Sequence, residues 1–574
     1  MKKIVSGLMA TVMLASLASF ASCGGEGSDG AAMINIMNTG GGIGRVWLDE
    51  AIARYQEKNP NIMFNVEHNL DTGVGTMQTS GYSIYFVEQG GIAEMAAAGK
   101  LLPITDLLTE TNEQRDGKDV SILDKVKPET RSMLKGFDGE YYALPHFTWF
   151  PGLTYDAELF TAKGYYFADY DLTVDNSNVT LFDGDYGKAK FVGAGKTDVK
   201  KSVGNDGEAG TYDDGLPTTL QELCILCEKM KGTETTPIEL NGTVSHYISY
   251  IIRSMWASLS GYEQMKVTYT FDGNVDCVTG YQDGTSLLPG VVGIKKPVVE
   301  TKKITEETGY LVNDNVARYY VASFVKLIKD NGWLSKDHTS NTLSPATAQA
   351  KFLCNGYNEG GETYGMLLEG NYWYNEAVAN KAFKTLSDVS GGEETQATRD
   401  IRWMPLPTAL DTPVTGKANA RGYTMMQGSN SFAFVNANIK NNTNLVKEVK
   451  KFLAFLYTDV ELSHFVGTTG IMRGFMNHEL LGADESKLSN FQKSVFEVYD
   501  DSKVVFNAAD NNTFLKNADT LSITTMNKAI QPTIGTTAYM TYLDAFSAGC
   551  DLETVFEATR RTAAQWENIY EGGN

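Results

Sequence analysis

The sequence predicts an α/β protein of at least two lobes, and three observations support this. Strand-like alternation and helix-like periodicity follow each other at short intervals from Ala32 onward, the pattern of a mainly parallel sheet flanked by helices. The chain has 574 residues, far more than one compact core usually organises. Its 42% hydrophobic and 21% charged content is the balance of a globular protein rather than a disordered or membrane-embedded one.

Ala32 to Met37 alternates as a first strand and runs into the Gly-rich stretch Asn38 to Gly44. Val46, Trp47, Ala51, Ile52 and Tyr55 recur at helical spacing, and Asn59-Pro60 stops that helix. Asn61 to Val66 reads as a second strand. Ser83 to Val87 reads as a third, followed by a helix over Ala93 to Ala98 that Gly99 ends. From Tyr166 to about Gly215 the chain turns polar, with carboxylates and glycines crowded at Asp183-Gly184-Asp185, Asn205 to Glu208 and Tyr212 to Gly215. Thr218 or Thr219, with Glu222 close behind, caps a helix over Leu220 to Lys231. A second polar insertion, about 267–308, is rich in β-branched residues and glycine. Helices return at Val316 to Lys329, Thr347 to Leu353, Leu445 to Tyr457 and Leu552 to Tyr570. No internal repeat is visible.

The amino end reads as an export signal. Met1-Lys2-Lys3 is basic, Ile4 to Phe20 is apolar, and Ala21-Ser22 precede Cys23. The apolar run is short for a membrane span. Residues 1–22 are expected to be removed, with Cys23 lipidated and 23–31 serving as a Gly-rich tether. That pattern resembles a bacterial lipobox, with Phe20 where Leu is usual. The expected location is extracytoplasmic, held to the cell membrane by the lipid alone.

A net charge of −21 supplies no basic footprint for nucleic acid and disfavours a strongly anionic ligand, which leaves a neutral solute. Carboxylate-rich loops at 183–185 and 205–215 can hold Ca2+, although their spacing fits no EF-hand; no other cofactor or metal is expected. Cys224 and Cys227 fall on one helix with no second ligand pair nearby, the pattern of core thiols rather than of a redox or zinc site. Two glycine motifs are decoys. The loop after the first strand lacks the G-x-G-x-x-G spacing, and Gly193 to Thr197 has Lys190 where a phosphate-binding loop needs glycine.

Several ordered segments together resemble one family. Trp47 to Pro60 (WLDEAIARYQEKNP) comes first, followed by Gly99 to Leu108 (GKLLPITDLL) and Tyr142-Ala143-Leu144-Pro145. Leu153 to Phe160, Leu216 to Leu223, Met366 to Ala377 (MLLEGNYWYNEA), Lys450 to Leu456 and Thr468-Thr469-Gly470 complete the series. In order and spacing the chain resembles the extracellular solute-binding proteins, family 1, the sugar-binding lipoproteins of ABC importers that include maltose-binding protein. The resemblance implies a type II periplasmic-binding-protein-like fold in which two lobes close on a ligand by hinge bending. The lobes would comprise 32–147 with about 431–475, and 148–430 with about 476–574. The first crossover would fall near Leu144 to Trp149. It further implies a monomer that binds a carbohydrate in the inter-lobe cleft and delivers it to permease subunits.

Sugars stack their C–H faces on aromatic rings and bind planar polar groups through their hydroxyls. Trp373 and Tyr374 lie in the segment that supplies a stacking aromatic in the family. Trp149 sits at the first crossover and Trp256 on a helix with Ile252 and Leu259. Tyr82 and Glu88 flank the third strand, in a fold that presents ligands at the carboxyl ends of strands. Arg473 follows Gly470, and Tyr539 falls in the C-terminal region that closes the cleft in the family. These eight are the expected ligand contacts, the tryptophans suggesting an oligosaccharide. No nucleophile motif appears and the six histidines are scattered, so no enzyme is expected. A ligand-sensing lipoprotein or a binder of another solute such as a peptide would have the same fold; a surface glycosidase ranks below both.

Overall fold

The computed structural model describes residues 32–39, 41–69, 74–88, 90–111, 120–169, 191–241, 247–288, 291, 293–340, 342–410, 422–517, 521 and 529–571. The export signal, Cys23 and the 183–185 loop lie outside them.

Two sheets organise two lobes. The first contains β1 (Ala32–Thr39), β2 (Ile62–Asn69), β3 (Ile84–Val87), β4 (Ala143–Pro145) and a late strand, β12 (Phe432–Val435), in the order β2-β1-β3-β12-β4. β1 pairs in parallel with β2 and β3, with Ile36 opposite Ile84. β12 enters antiparallel between β3 and β4, Phe432 opposite both Val87 and Pro145. The second sheet has the order β10-β5-β9-β6, from β5 (Pro151–Asp156), β6 (Thr236–Glu239), β9 (Tyr364–Gly370) and β10 (Ile401–Met404). Here only β6 and β9 run parallel. The α/β two-lobed expectation holds, but both sheets are mixed rather than mainly parallel. A strand that arrives by crossing from the other lobe enters from the opposite end, so β5 and β12 run against their neighbours.

Local rules explain the elements that flank these sheets. Helix Val46–Lys58 buries Trp47, Leu48, Ala51, Ile52 and Tyr55, the predicted stripe with Leu48 in place of Val46, which is 59% exposed. A bidentate Arg54–Glu461 pair, at 2.9 and 2.7 Å, fastens it to helix Asp459–Thr469 from the far end of the chain. Thr219 and Glu222 form a reciprocal capping box on helix Leu220–Gly232. The expected terminal helix is two: Leu552–Ala558 ends at Thr559, and Thr562 caps Ala563–Tyr570. Capping by Thr562 satisfies backbone donors only if a new helix begins there, and so breaks the run. The 267–308 insertion contains a long antiparallel ribbon, β7 (Gly273–Ser286) with β8 (Lys295–Ile304), interrupted by register shifts near Gly280 and Ser286. β11 (Tyr423–Met426) pairs with β13 (Ser502–Val505) in a small separate sheet.

Cys224 and Cys227 are free and wholly buried on helix Leu220–Gly232, and burial raises both thiols above their ordinary range. The described acidic loop folds on itself. Asp213 accepts the N–H groups of Asn205 and Asp206 at 2.7 and 3.2 Å and the Tyr423 hydroxyl at 2.6 Å. Among the described residues no group of three or more potential metal ligands occurs, and no helix is long and apolar enough to cross a membrane.

Candidate functional site

The sheet geometry brings one end of each lobe to the junction. In the first lobe, β1 and β3 end at the Gly41–Gly44 loop and at Glu88. Because β12 is antiparallel and opposes Val87 and Pro145, segments 427–431 and 146–150 leave that same edge. In the second lobe Gly370, at the end of β9, opposes Pro151, at the start of β5. Asn371 and Tyr372 therefore face the crossover. Chain ends of parallel strands are where such folds collect ligand groups, since the loops there need no ladder partners.

Four aromatic rings meet at this junction. Trp149 lies edge-on to Tyr372, ring centres 5.1 Å apart at 81°, and tilted against Tyr250 at 5.3 Å. Tyr247 and Tyr250, at the start of helix Ile248–Ser260, pack at 4.6 Å. The Tyr250 and Tyr372 hydroxyls are 3.0 Å apart, and the Tyr247 hydroxyl is 3.4 Å from that of Tyr372. The two lobes touch here through glycine. Gly42 has φ +62°, and a Cβ on it would stand 2.5 Å from Tyr372 Cβ.

Three carboxylates surround the rings. Trp149 Nε1 donates to Ser429 Oγ at 2.9 Å, and Ser429 donates on to Glu88 Oε2 at 2.8 Å. Gln349 Nε2 donates to Glu376 at 3.0 Å and stands 3.5 Å from Glu369, which also accepts the Gly370 N–H at 3.3 Å. Glu376 accepts the backbone N–H of Gly42 across the lobe boundary. Burial pushes all three carboxyls upward, Glu369 furthest, with the like charge of Glu376 adding to its burial. Burial likewise pushes Tyr250 up to about 12. Arg253, one turn after Tyr250, acts electrostatically on that phenol. The arrangement brings aromatic rings and buried carboxyl groups from both lobes together at the junction, group types that stack on apolar C–H patches and hydrogen-bond hydroxyls.

Two of the eight expected residues, Trp149 and Glu88, belong to this cluster. The other six do not. Trp373 is wholly buried against Phe352 and Phe491, its indole N–H donating to Thr154 Oγ1 at 3.1 Å. Tyr374 stacks on Phe491 at 5.2 Å in the same core. Helix Trp373–Ala379 turns both inward, and Tyr372, immediately before it, points to the junction instead. Trp256 is 1% exposed, because its helix is buried on nearly every side. Tyr82 precedes β3 and so sits at the amino end, opposite Glu88; its hydroxyl donates to Glu67. Arg473 is buried inside the first lobe among Trp47, Tyr457 and Phe465. Tyr539 packs in the C-terminal segment, its hydroxyl 3.8 Å from Cys550 Sγ, with no described contact to the cluster.

Sequence reasoning missed Tyr247, Tyr250, Tyr372, Gln349, Glu369, Glu376 and Ser429. Four of these, Glu369, Tyr372, Glu376 and Ser429, lie in or beside the quoted Met366 to Ala377 segment or the expected crossover near 431.

No protein-family model matches the chain, and no curated protein matches it. Solved structures similar to it include the bacterial solute receptor AcbH, described as having an exclusive substrate preference for β-D-galactopyranose. That likeness has 13% identity and a TM-score of 0.47, covering 94% of this chain and 100% of the other. Another is a structure from work on xylan utilization by the thermophilic bacterium Caldanaerobius polysaccharolyticus, at 15% identity and a TM-score of 0.49, covering 92% and 99%. At these values neither likeness transfers a residue or a ligand to this chain.

Proposed function

We propose that the protein is a carbohydrate-binding receptor that captures its ligand between the two lobes without chemically altering it. The observation that carries this reading is the junction cluster. Trp149, Tyr247, Tyr250 and Tyr372 offer ring faces, and Glu88, Glu369 and Glu376 offer acceptors, with contributions from both lobes. A ligand touching both sides stabilises the closed form over the open one, which is the condition for hinge closure. The export signal and Cys23 in the sequence support anchoring at the outer face of the cell membrane, and the family resemblance supports delivery to an ABC permease.

The test is a thermal-shift screen of the protein lacking residues 1–23 against mono- and oligosaccharides, with chromatographic analysis of each sugar afterwards. Binding to the folded state alone raises the melting midpoint by linkage. A shift with one sugar class, no turnover, and loss of the shift in Trp149→Ala is the expected result. No shift with any sugar would remove the carbohydrate assignment, and turnover would make the protein an enzyme.

A further inference from the structure

The junction gathers more negative charge than the protein matches there. Glu88 follows β3 in the first lobe, while Glu369 belongs to β9 and Glu376 to helix Trp373–Ala379 in the second. Their described hydrogen-bond partners are all uncharged. Ser429 donates to Glu88, Gln349 and the Gly370 N–H to Glu369, and Gln349 and the Gly42 N–H to Glu376. Among the described residues no lysine or arginine acts on any of the three. They act on one another instead, Glu88 on Glu376 across the lobe boundary and Glu376 on Glu369. Arg253 acts on the phenols of Tyr250 and Tyr269 and on none of these carboxyls. Carboxyls grouped in this way hold on to their protons until a positive charge reaches them.

The neighbouring groups suit a positive charge. The electron-rich ring faces of tryptophan and tyrosine attract cations, and Trp149, Tyr250 and Tyr372 meet beside the carboxyls. Gln349 is wholly buried; its Nε2 donates to Glu376, while its Oε1 has no partner among the described residues. An ammonium brings three N–H donors and one charge, matching in number Glu88, Glu376 and this open acceptor. A hydroxyl brings one donor and no charge. It leaves Glu88 and Glu376 either repelling each other or protonated, and a protonated carboxyl is the weaker acceptor. The net charge of −21 opposes an anionic ligand but draws a cationic one.

Given the carbohydrate reading above, on which this rests, we infer that the saccharide captured at the junction is an amino sugar, bound through a free ammonium that Glu88 and Glu376 hold between the lobes. Because these two carboxyls belong to different lobes, the ammonium that neutralises them also draws the lobes together. An uncharged ring has to close the lobes against that repulsion.

Calorimetric titration of the full chain below about pH 7, where the sugar amine is protonated, tests it. The probes are glucosamine, galactosamine and mannosamine, the N-acetyl and neutral hexose counterparts of each, and the corresponding oligomers of glucosamine, N-acetylglucosamine and glucose. The best-bound amine is expected to bind at least about tenfold tighter than its uncharged counterparts. Glu88→Gln and Glu376→Gln keep the shape and remove the charge, and each should bring that ratio towards one. Repeating the titrations in two buffers of different protonation enthalpy reads the protons expelled, and the amine should expel more than its neutral counterpart. An N-acetyl or neutral sugar that binds as tightly as its amine, or equal proton release by both, would overturn the amino-sugar assignment and leave the carbohydrate reading standing. So would a preference for the amine that survives in both glutamine variants. Binding of none of these sugars would overturn both.

Discussion

Gly42→Ala separates two effects that the proposed closure assigns to different states of the protein. The residue has φ +62°, and the added Cβ would stand 2.5 Å from Tyr372 Cβ on the other lobe. A left-handed backbone costs an L-residue about 1–2 kcal/mol. That cost falls on the open and closed forms alike, so it lowers thermal stability and cancels from ligand affinity. The contact with Tyr372 arises only when the lobes meet. Carbon atoms rest near 3.5 Å, so relief requires about 1 Å of extra separation, because a Cβ anchored at a helix start cannot swing aside as a flexible side-chain end does. The same movement loosens the Gly42 N–H to Glu376 bond. If closure loses at least 1.4 kcal/mol, affinity falls by at least tenfold. Calorimetric titration with the saccharide that gives the largest thermal shift in the wild type, beside the ligand-free melting curve, reads both quantities. A variant that melts lower yet binds with unchanged affinity would refute the claim that Gly42 and Tyr372 meet on closure.

Other outcomes follow from the same reasoning. Arg318, wholly buried, donates to Asn313 O at 2.7 Å, to the Tyr542 hydroxyl at 2.8 Å and to Thr559 Oγ1, so it ties helix Val316–Asn331 to the C-terminal segment. Arg318→Met should cost about 3 kcal/mol in denaturant unfolding by orphaning those acceptors; a loss below 1 kcal/mol would contradict this. Glu239, at the end of β6, is wholly buried, and burial pushes its carboxyl up to about 8. The unfolded chain loses that proton near 4.5, so the native state holds more protons between pH 4.5 and 8. Stability should therefore fall as pH rises through that window and level off above it, by on the order of 4 kcal/mol at most. Glu239→Gln should flatten this slope and melt higher than the wild type at pH 8, and an unchanged pH profile would count against the assignment. Cys224 and Cys227, buried with raised thiols, should react with a thiol reagent only on unfolding; reaction at the rate of a free thiol in the native protein would be inconsistent with this burial.

The amino-acid sequence by itself determined what depends on neighbours along the chain. The alternation of β1 and β2, the apolar stripe of helix Val46–Lys58 and the Thr219–Glu222 cap were legible because strand period, helix period and capping act over a few residues. So were the placement of Cys224 and Cys227 on one buried helix and the segments that approach the junction. Which side chains line the site was decided by tertiary structure. Trp373 lies in the segment that supplies a stacking aromatic in the family it resembles, yet the helix begins one residue after Tyr372, and that single position sends the indole to Thr154 and the phenol to the junction. Arg473 was an expected ligand contact from its place after Gly470, but the first lobe closes three rings over it. Tyr82 and Glu88 differ by six positions, and only the direction of β3 puts Glu88 on the junction edge. Tyr247, Gln349, Glu376 and Ser429 come from four separate stretches of chain. Their convergence depends on the order β2-β1-β3-β12-β4 and on the crossovers that leave it, because long-range pairing leaves no periodic trace in local sequence.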